Sequence, residues 1–257
     1  STAVIWVASL GTGAGAENNL IRNTTIIGGS RTATSTFGVF VGGTSISTTG
    51  TGAHNNNLSI TNNSIQKAYY GIYARGVATT GVTTGLTITS NSIGSEIADN
   101  YIGKYGLDIT QSDGASISGN TIFNFIGTAT NPTGMLIGTG FVNSTISANK
   151  IYEMTYTGTG GYVGKGIDVN TGNATSNVTI VNNVIYDLKG DGWSSFASDA
   201  GVGIRILGST GGINIYYNSV NLSGNTDRSA TATVSAGLYI VSTASGLDIR
   251  DNVFSNS

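Results

Sequence analysis

The sequence contains no cysteine, few charged residues and no long apolar run, and each of these shortages excludes a class of protein. Without cysteine the chain forms no disulfide scaffold. Charged residues make up 9% of the chain and the net charge is -2, which excludes the strongly basic surface of a typical nucleic-acid-binding protein. Its apolar runs fall well short of the roughly 20 residues that cross a membrane as a helix. We therefore expect no nucleic-acid partner and no membrane insertion in this segment.

Repetition is the dominant feature that the sequence does have. The motif I-x-x-N-x-I occurs in seven clear copies at intervals of roughly 30 residues, and a fixed period of this size is typical of a solenoid. An eighth, degenerate copy, NLIRNTTI, has Thr24 in the asparagine position. The seven asparagines are Asn63, Asn91, Asn120, Asn149, Asn183, Asn218 and Asn252.

A second motif alternates with the first and consists of glycine followed by alternating apolar residues, as in GIYA at Gly71 and GLDI at Gly106. Alternation of apolar with hydroxyl-bearing residues, as in Leu86-Thr-Ile88-Thr, predicts strands with one buried face. Each repeat thus holds at least two short strands, and helical signals are nearly absent. Strands that recur in the same order stack as coils about 4.8 Å apart. We predict an all-β parallel solenoid of about eight coils.

The repeated asparagine has a structural explanation. Asparagine tolerates the left-handed backbone conformation and bonds locally through its amide, as a turn between two sheets requires. In stacked coils the amides can also bond to their counterparts above and below, as in the asparagine ladders of cross-β structures. Residues at one slot of every coil form a column, whereas an active site is local. We therefore predict that the seven asparagines are structural and form one inward-facing column.

The interleaved I-x-x-N-x-I and G-I-x-h motifs, which extend over about residues 18 to 256, resemble the repeats of the right-handed parallel β-helix family of the pectate lyase-like superfamily. The closest resemblance in style is to bacterial extracellular proteins. It implies a single right-handed β-helix over residues 1–257, cut from a longer repetitive protein that is secreted or displayed on a bacterial surface. The family includes polysaccharide lyases and hydrolases, phage tailspikes and adhesins, so the resemblance implies a fold and not one function.

The outward position of the glycine strand offers the best catalytic candidates. Asp108 and Asp168 would lie two coils apart, nearly 10 Å, with Arg205 one coil beyond Asp168. Polysaccharide cleavage uses paired carboxylates, or clustered carboxylates with a basic residue. The alternative is an exposed strand face with one Asp–Arg pair worth under about 1 kcal/mol. No family motif matches at these residues, so the resemblance assigns them no catalytic role.

A second column follows the asparagine turn, where IFNF, IYEM and IYDL align in successive coils. Phe123, Tyr152 and Tyr186 would stack on each other, with Glu153 and Asp187 beside them. Aromatic rings next to carboxylates suit either a sugar face or a surface calcium ion, which makes Ca²⁺ the one cofactor to consider. The alternative is plain packing between coils.

The longest excursions between motifs, TYTGTGGYVGKG and KGDGWSSFASDAG, fall in consecutive coils. Loops on a rigid scaffold often carry function. Trp193, Tyr156 and Tyr162 supply aromatic rings on these loops, and Asp191 and Lys165 supply polar groups for hydroxyls. We predict that these five residues contact a ligand. The alternative is a flap that stabilises the solenoid.

The low charge and regular coils favour a non-enzymatic, extracellular structural or adhesive segment of a bacterial surface protein. Its expected partners are a glycan or another cell-surface ligand, and further coils of the same protein or stacked copies. A polysaccharide lyase or glycoside hydrolase, including a tailspike-type depolymerase, is the alternative, so enzymatic activity stays open. Ice binding is a minor alternative, suggested by the hydroxyl rows SIT, TIT, SIS and TIS, which give way to TIV, NIY and DIR.

Overall fold

Each turn of the chain contributes one strand to each of three parallel sheets, which we name A, B and C in chain order. The computed structural model describes residues 1–191, 201–223, 235–241 and 243–257. All three sheets are eight-stranded, and their strands stack in chain order. Within the described ranges the helical content is one 3₁₀ turn, Ala98–Asn100. The prediction of an all-β parallel solenoid of about eight coils is confirmed.

Sheet A carries the glycine motif, sheet B the strand before the asparagine, and sheet C the strand after it. Sheet A consists of Thr2–Ala8, Thr36–Gly42, Tyr70–Arg75, Tyr105–Thr110, Thr133–Ile137, Lys165–Val169, Gly201–Ile206 and Ser235–Ile240. Sheet B consists of Leu20–Arg22, Ser59–Thr61, Thr87–Thr89, Ser116–Ser118, Ser144–Ser147, Val178–Val181, Gly211–Tyr216 and Ser245–Arg250. Sheet C consists of Thr25–Ile27, Ser64–Gln66, Ser92–Ile93, Thr121–Gly127, Lys150–Tyr156, Val184–Lys189, Ser219–Leu222 and Val253–Asn256. A three-stranded parallel sheet, Thr83–Thr84, Ser112–Asp113 and Phe141–Val142, lies between A and B along the central coils.

The interior is a continuous column of aliphatic side chains. In sheet B, for example, Ile60, Ile88, Ile117 and Ile146 lie in register on successive coils, and each is completely buried. Full burial of such a side chain stabilises the fold by roughly 1.5 to 3 kcal/mol. The strand alternation in the sequence therefore correctly predicts which face of sheet B points inward.

The asparagines form the predicted inward column, and their amides are fully hydrogen-bonded. Each Oδ1 from Asn91 onward accepts two bonds from the asparagine of the preceding coil, one from Nδ2 and one from the backbone N–H, at 2.8 to 3.0 Å. The second Nδ2 hydrogen goes to a backbone carbonyl of the preceding coil, as from Asn120 to Ile88 at 2.9 Å. At the degenerate copy, Thr24 donates only its backbone N–H to Asn63. This ladder leaves no amide group in the column unpaired within the described coils.

The left-handed backbone conformation lies one residue before this column, so our prediction that the column asparagines themselves adopt it is wrong. The residue that precedes the asparagine has a φ of 53° to 63° in the seven clear copies, and it is Ser90, Gly119 or Ala148 in three central coils. The preceding residue therefore turns the chain, and the turn directs the asparagine side chain into the solenoid. The turning position requires a left-handed backbone conformation and no side-chain hydrogen bond. Several residue types therefore occur there.

The glycine motif reflects a lack of space between sheets A and C. A Cβ atom on Gly106 would lie 2.5 Å from the carbonyl oxygen of Gly134 and 2.7 Å from Cγ2 of Ile122. The same two contacts recur at Gly71 and Gly166. Glycine is thus required here because it has no side chain, which lets the sheet A strands approach the isoleucines of sheet C.

We expect the substitution Asn120→Leu to lower the free energy of unfolding by roughly 2 to 5 kcal/mol. The change removes the acceptor of two donors on Asn91, and each buried donor without a partner costs about 1 to 3 kcal/mol. Urea denaturation measures the loss. The matched control is Asn182→Gly at an exposed, left-handed position outside the ladder, which we expect to change stability by no more than about 0.5 kcal/mol. Equal losses in the two variants would contradict the structural role of the column.

We expect Gly106→Ala to destabilise the fold by roughly 3 kcal/mol, because the added methyl group overlaps backbone and core atoms that cannot both move away. Thermal and urea unfolding of purified variants measure the effect. Gly29→Ala is the control, since a Cβ there meets no atom within 4 Å. A Gly106→Ala variant as stable as the Gly29→Ala variant would refute the steric explanation.

Candidate functional site

The outward face of sheet A has the side-chain column that the sequence predicts, but its first half is covered. Phe40, Tyr73, Asp108, Leu136, Asp168, Arg205 and Tyr239 follow one another in register. Phe40 and Tyr73 are completely buried and their rings stack at 4.9 Å. The Tyr73 hydroxyl donates to the Gly50 carbonyl at 2.9 Å, so the segment after the second sheet A strand packs over these rings. The expectation of an exposed strand face is wrong for these coils.

Asp108 lies at the edge of this aromatic cluster and is fully buried. It pairs with Arg75 of the preceding coil, and not with Arg205. Nε of Arg75 donates to Oδ1 at 3.1 Å and Nη2 donates to Oδ2 at 2.8 Å. Burial raises the pKa of Asp108, and the hydrogen bonds and charge of Arg75 oppose this rise. Burial also raises the pKa of the neighbouring Tyr70 to about 12. A raised carboxyl pKa is common at active sites, but no substrate can reach this carboxyl group.

Asp168 and Arg205 form a second ion pair on adjacent strands, as the column predicts. Nε of Arg205 donates to Oδ1 of Asp168 at 2.9 Å, and Nη2 donates to Oδ2. Both side chains are only 7% exposed, so the pair is more buried than a surface ion pair on an open strand would be. Leu136 separates Asp168 from Asp108 in the column, which places the two carboxylates about two coil spacings apart.

The Asp168–Arg205 pair forms the floor of a cleft of about 320 Å³, which we call the outer cleft. Its walls come from a second outward column, in which Tyr105, Thr133 and Lys165 are in register, and from the loops at residues 128–132 and 157–164. The Nδ2 group of Asn131 donates to the Val163 carbonyl at 2.7 Å and so joins the two loops. The lining residues are Lys104, Tyr105, Thr130, Asn131, Thr133, Tyr162, Lys165, Asp168 and Arg205.

The outer cleft brings together residues that the sequence assigned to two different sites. Asp168 and Arg205 came from the catalytic hypothesis, and Tyr162 and Lys165 from the ligand-binding hypothesis. Among the described residues that line it, the cleft has three cationic side chains, Lys104, Lys165 and Arg205, and one carboxylate, Asp168. Burial lowers the pKa of Lys104, and the Asp108 charge opposes this effect. Its Nζ lies 4.6 Å from the centre of the Tyr105 ring.

Tyr156 and Asp191 support the loop at 157–164 and are not among the described residues that line the outer cleft, and our prediction that they contact a ligand stays a prediction. Tyr156 is 3% exposed, its hydroxyl accepts a bond from the Gly160 N–H at 3.0 Å, and its ring meets Tyr162 edge to face at 5.2 Å. Asp191 is 8% exposed and accepts a bond from the Gly161 N–H at 2.9 Å. These contacts position Tyr162 at the cleft. Trp193 lies outside the described residues.

The predicted aromatic stack on sheet C is confirmed. The ring centres of Phe123 and Tyr152 lie 5.4 Å apart, and those of Tyr152 and Tyr186 lie 5.1 Å apart with an angle of 4° between the planes. Nζ of Lys150 lies 4.6 Å from the centre of the Tyr152 ring. The spacing follows the coil spacing, so the stack is a consequence of the parallel register.

The acidic residues beside this stack occupy a bulge. Glu153 and Asp187 each have a φ of 56° and interrupt the strand pairing. Burial, followed by repulsion from Asp187 and Glu96, raises the pKa of Glu153. Asp187 pairs with Lys189 at 2.6 Å. No group of three or more potential metal-ligating side chains occurs in the ranges that the structure describes. Calcium binding by Glu153 and Asp187 stays a prediction.

The hydroxyl rows of sheet B are also in register. Ser59, Thr87, Ser116, Thr145 and Thr179 form one row over five coils, and Asn214 occupies the same row in the next coil. The regular hydroxyl grid therefore ends within sheet B, as the sequence suggests.

Sequence reasoning missed Arg75, Lys104, Tyr105 and Asn131. Lys104 and Tyr105 directly precede the motif glycine Gly106. The repeat therefore contains a second outward position, three residues before that of Asp108, which could have been predicted from the sequence. Arg75 is the last residue of its sheet A strand. Its role is visible only in the structure, where it donates a hydrogen bond to Asp108. Asn131 lies in a loop whose path depends on tertiary packing.

We expect Arg75→Met to lower the free energy of unfolding by about 3 to 5 kcal/mol, because it leaves the Asp108 carboxylate buried without its partner. The double variant Arg75→Met with Asp108→Leu should recover most of this loss, since Tyr73 and Leu136 already make the flanking column positions apolar. Urea denaturation of the three proteins at pH 7 tests both expectations. A loss below about 1 kcal/mol in the single variant would show that the pair behaves as a surface ion pair.

Comparison with known proteins agrees with this architecture. The family model described as a right-handed β-helix region matches residues 44–254. No curated protein and no solved structure matches the chain. In the described ranges, no helix has the length and apolar character that a membrane crossing requires. The family match covers most of the sequence and agrees with the parallel sheets and the asparagine ladder, so the chain belongs to the right-handed β-helix family.

Proposed function

We propose that this chain is a non-enzymatic, adhesive β-helix segment of a bacterial surface protein and that it binds a glycan in the outer cleft. The observation that carries the proposal is the composition of that cleft. Tyr105 and Tyr162 supply rings, Lys104 and Lys165 supply cations, and the Asp168–Arg205 pair supplies fixed polar atoms on a rigid sheet. Convergent polar groups beside aromatic rings in a concave site are typical of small-ligand recognition.

The state of the two candidate carboxylates supports binding over catalysis. A glycosidase needs one carboxyl group that transfers a proton and a second that attacks or activates water. Asp108 is inaccessible, and Asp168 already receives two hydrogen bonds from Arg205. These two hydrogen bonds hold the Asp168 carboxylate in place as an acceptor. The ammonium of Lys104, which forms no salt bridge with a described residue, favours glycans that carry acidic groups over neutral ones.

The extracellular, bacterial location is part of the same proposal and rests on the resemblance of the repeats to bacterial surface proteins. Contact with further coils or stacked copies is likewise proposed. The first and last strands that the structure describes in each sheet pair on one side only, and a strand edge of this kind can pair with a further strand.

We expect Tyr162→Ala to weaken glycan binding at least tenfold, which corresponds to about 1.4 kcal/mol. A glycan array that includes neutral and uronate-containing oligosaccharides identifies the ligand, and calorimetric titration gives the dissociation constants. The control is Tyr217→Ala, because Tyr217 is 58% exposed and precedes an asparagine turn, outside the outer cleft. Unchanged affinity in a folded Tyr162→Ala protein would exclude the outer cleft as the site.

The same ligands test the enzymatic alternative. We expect no new reducing ends and no unsaturated products after prolonged incubation with the polysaccharides that bind. Cleavage that Asp168→Asn abolishes and that Asp113→Asn preserves would replace the adhesive proposal with an enzymatic one. Asp113 is a suitable control because it lies on the short three-stranded sheet and accepts its hydrogen bond from Asn143.

A further inference from the structure

A groove of about 400 Å³ lies on the outward face of sheet C, and so on a different sheet from the outer cleft. We call it the Tyr186 groove. Its volume falls within the roughly 300 to 1,000 Å³ of typical small-molecule sites. The residues that line it come from three consecutive coils and are Val184, Ile185, Tyr186, Ser219, Val220, Asn221, Val253 and Ser255.

The groove exists because two outward columns of sheet C change from larger to smaller side chains at the same coil. One column passes from Tyr186 to Asn221, and the other passes from Val184 to Ser219. The parallel register places each small residue next to the larger one, one coil spacing along the solenoid. Tyr186 and Val184 therefore form a wall, and Ser219 and Asn221 form the floor.

Tyr186 is the last ring of the aromatic stack on sheet C. Its ring is stacked on that of Tyr152 at 5.1 Å, with 4° between the planes, so its opposite face is directed to the coil of Asn221. Among the described residues no other ring stacks on Tyr186. Asn221 has no ring, so the next position of the stack lies within the groove. A flat ring from a ligand can occupy that position at the same spacing.

Polar groups that can bind hydroxyls surround this position. Ser219, Asn221 and Ser255 are all exposed. Nδ2 of Asn221 donates to Oγ of Ser223 at 3.1 Å, which orients the amide and leaves Oδ1 as an acceptor. The two serine hydroxyls can each donate and accept.

The groove is also uncharged and has apolar edges. None of the described residues that line it is ionised at neutral pH. Lys150, whose Nζ lies 4.6 Å from the Tyr152 ring centre and 5.6 Å from that of Tyr186, is not among them. Val184 and Val253 are 41% and 64% exposed. The ligand that fits is therefore flat and neutral, with an apolar face and a polar rim.

We propose that the Tyr186 groove is a carbohydrate site that binds a neutral hexopyranose ring stacked on Tyr186. The C–H face of such a ring buries apolar area against the tyrosine, and its rim hydroxyls bond to Asn221 and the neighbouring serines. An acidic sugar would find no cation in the lining, and a plain aromatic ring would not use the polar floor. The site is independent of the outer cleft, since the two have no lining residue in common.

Nuclear magnetic resonance titration of the unmodified protein with methyl β-D-glucopyranoside and methyl β-D-galactopyranoside tests the site directly. We expect at least one of them to shift the methyl signals of Val184 and Val253 in a saturable way. The sugar protons that face Tyr186 should move upfield, because they lie over an aromatic ring. Methyl β-D-glucuronide and benzyl alcohol should bind at least about fivefold more weakly than the better hexoside.

Three variants and one control identify the groups involved. Tyr186→Ala should weaken hexoside binding at least about tenfold, whereas Tyr186→Phe should retain it because the ring stays. Asn221→Tyr should abolish binding in a folded protein, because its ring would occupy the next position of the stack. The control Trp6→Ala removes an exposed ring from the first sheet A strand and should leave hexoside binding unchanged.

Three outcomes would overturn the proposal. The first is the lack of any saturable shift at Val184 and Val253 in the unmodified protein. The second is equal affinity for benzyl alcohol and the hexosides, which would indicate an apolar surface without sugar recognition. The third is hexoside binding that Tyr162→Ala abolishes and Tyr186→Ala preserves, which would place the sugar in the outer cleft and support the proposed function instead.

Discussion

The amide of one asparagine per coil connects each coil to its two neighbours, and the remaining structure depends on that connection. Its Oδ1 accepts two bonds from the preceding coil, while Nδ2 donates in both directions. A buried amide is costly unless all of its groups are paired, so the ladder is stable in one register and unfavourable in any other. The ladder thus does more than close a turn: it fixes which residue of one coil lies above which residue of the next.

Because the register is fixed, residues at equivalent positions of the repeat stack into columns. The side chains within one column have a similar physical character. The inward columns are mainly aliphatic and fill the interior of the described coils. The motif glycines form a column where any side chain would collide with sheet C. Recognition is therefore confined to the outside, and the outward columns of sheet A change in character along the solenoid. They are aromatic and covered near Phe40 and Tyr73, and polar beside the outer cleft near Lys165 and Asp168.

The chain has few ionisable residues, and several of them lie together on the outer face of sheet A. Because these residues are largely buried, loss of one partner of an ion pair there would leave a costly buried charge. Asp108 and Asp168 each form an ion pair with an arginine one coil away. Lys104, by contrast, forms no salt bridge with an aspartate in the described part of the chain.

The repeat by itself determined the coils, the asparagine column and the alignment of Asp108 with Asp168, because a strand period of two and a fixed repeat leave one consistent register. It did not determine which asparagine-turn residue adopts the left-handed conformation, since several residue types tolerate it. Only the tertiary structure decided that Asp108 is buried with Arg75, that Tyr156 and Asp191 support a loop, and that Lys104 and Tyr105 join Tyr162 in one cleft. Burial of an outward face depends on where the loops fold back, and loop paths follow from contacts between distant residues such as Asn131 and Val163, which carry no periodic signal in the sequence.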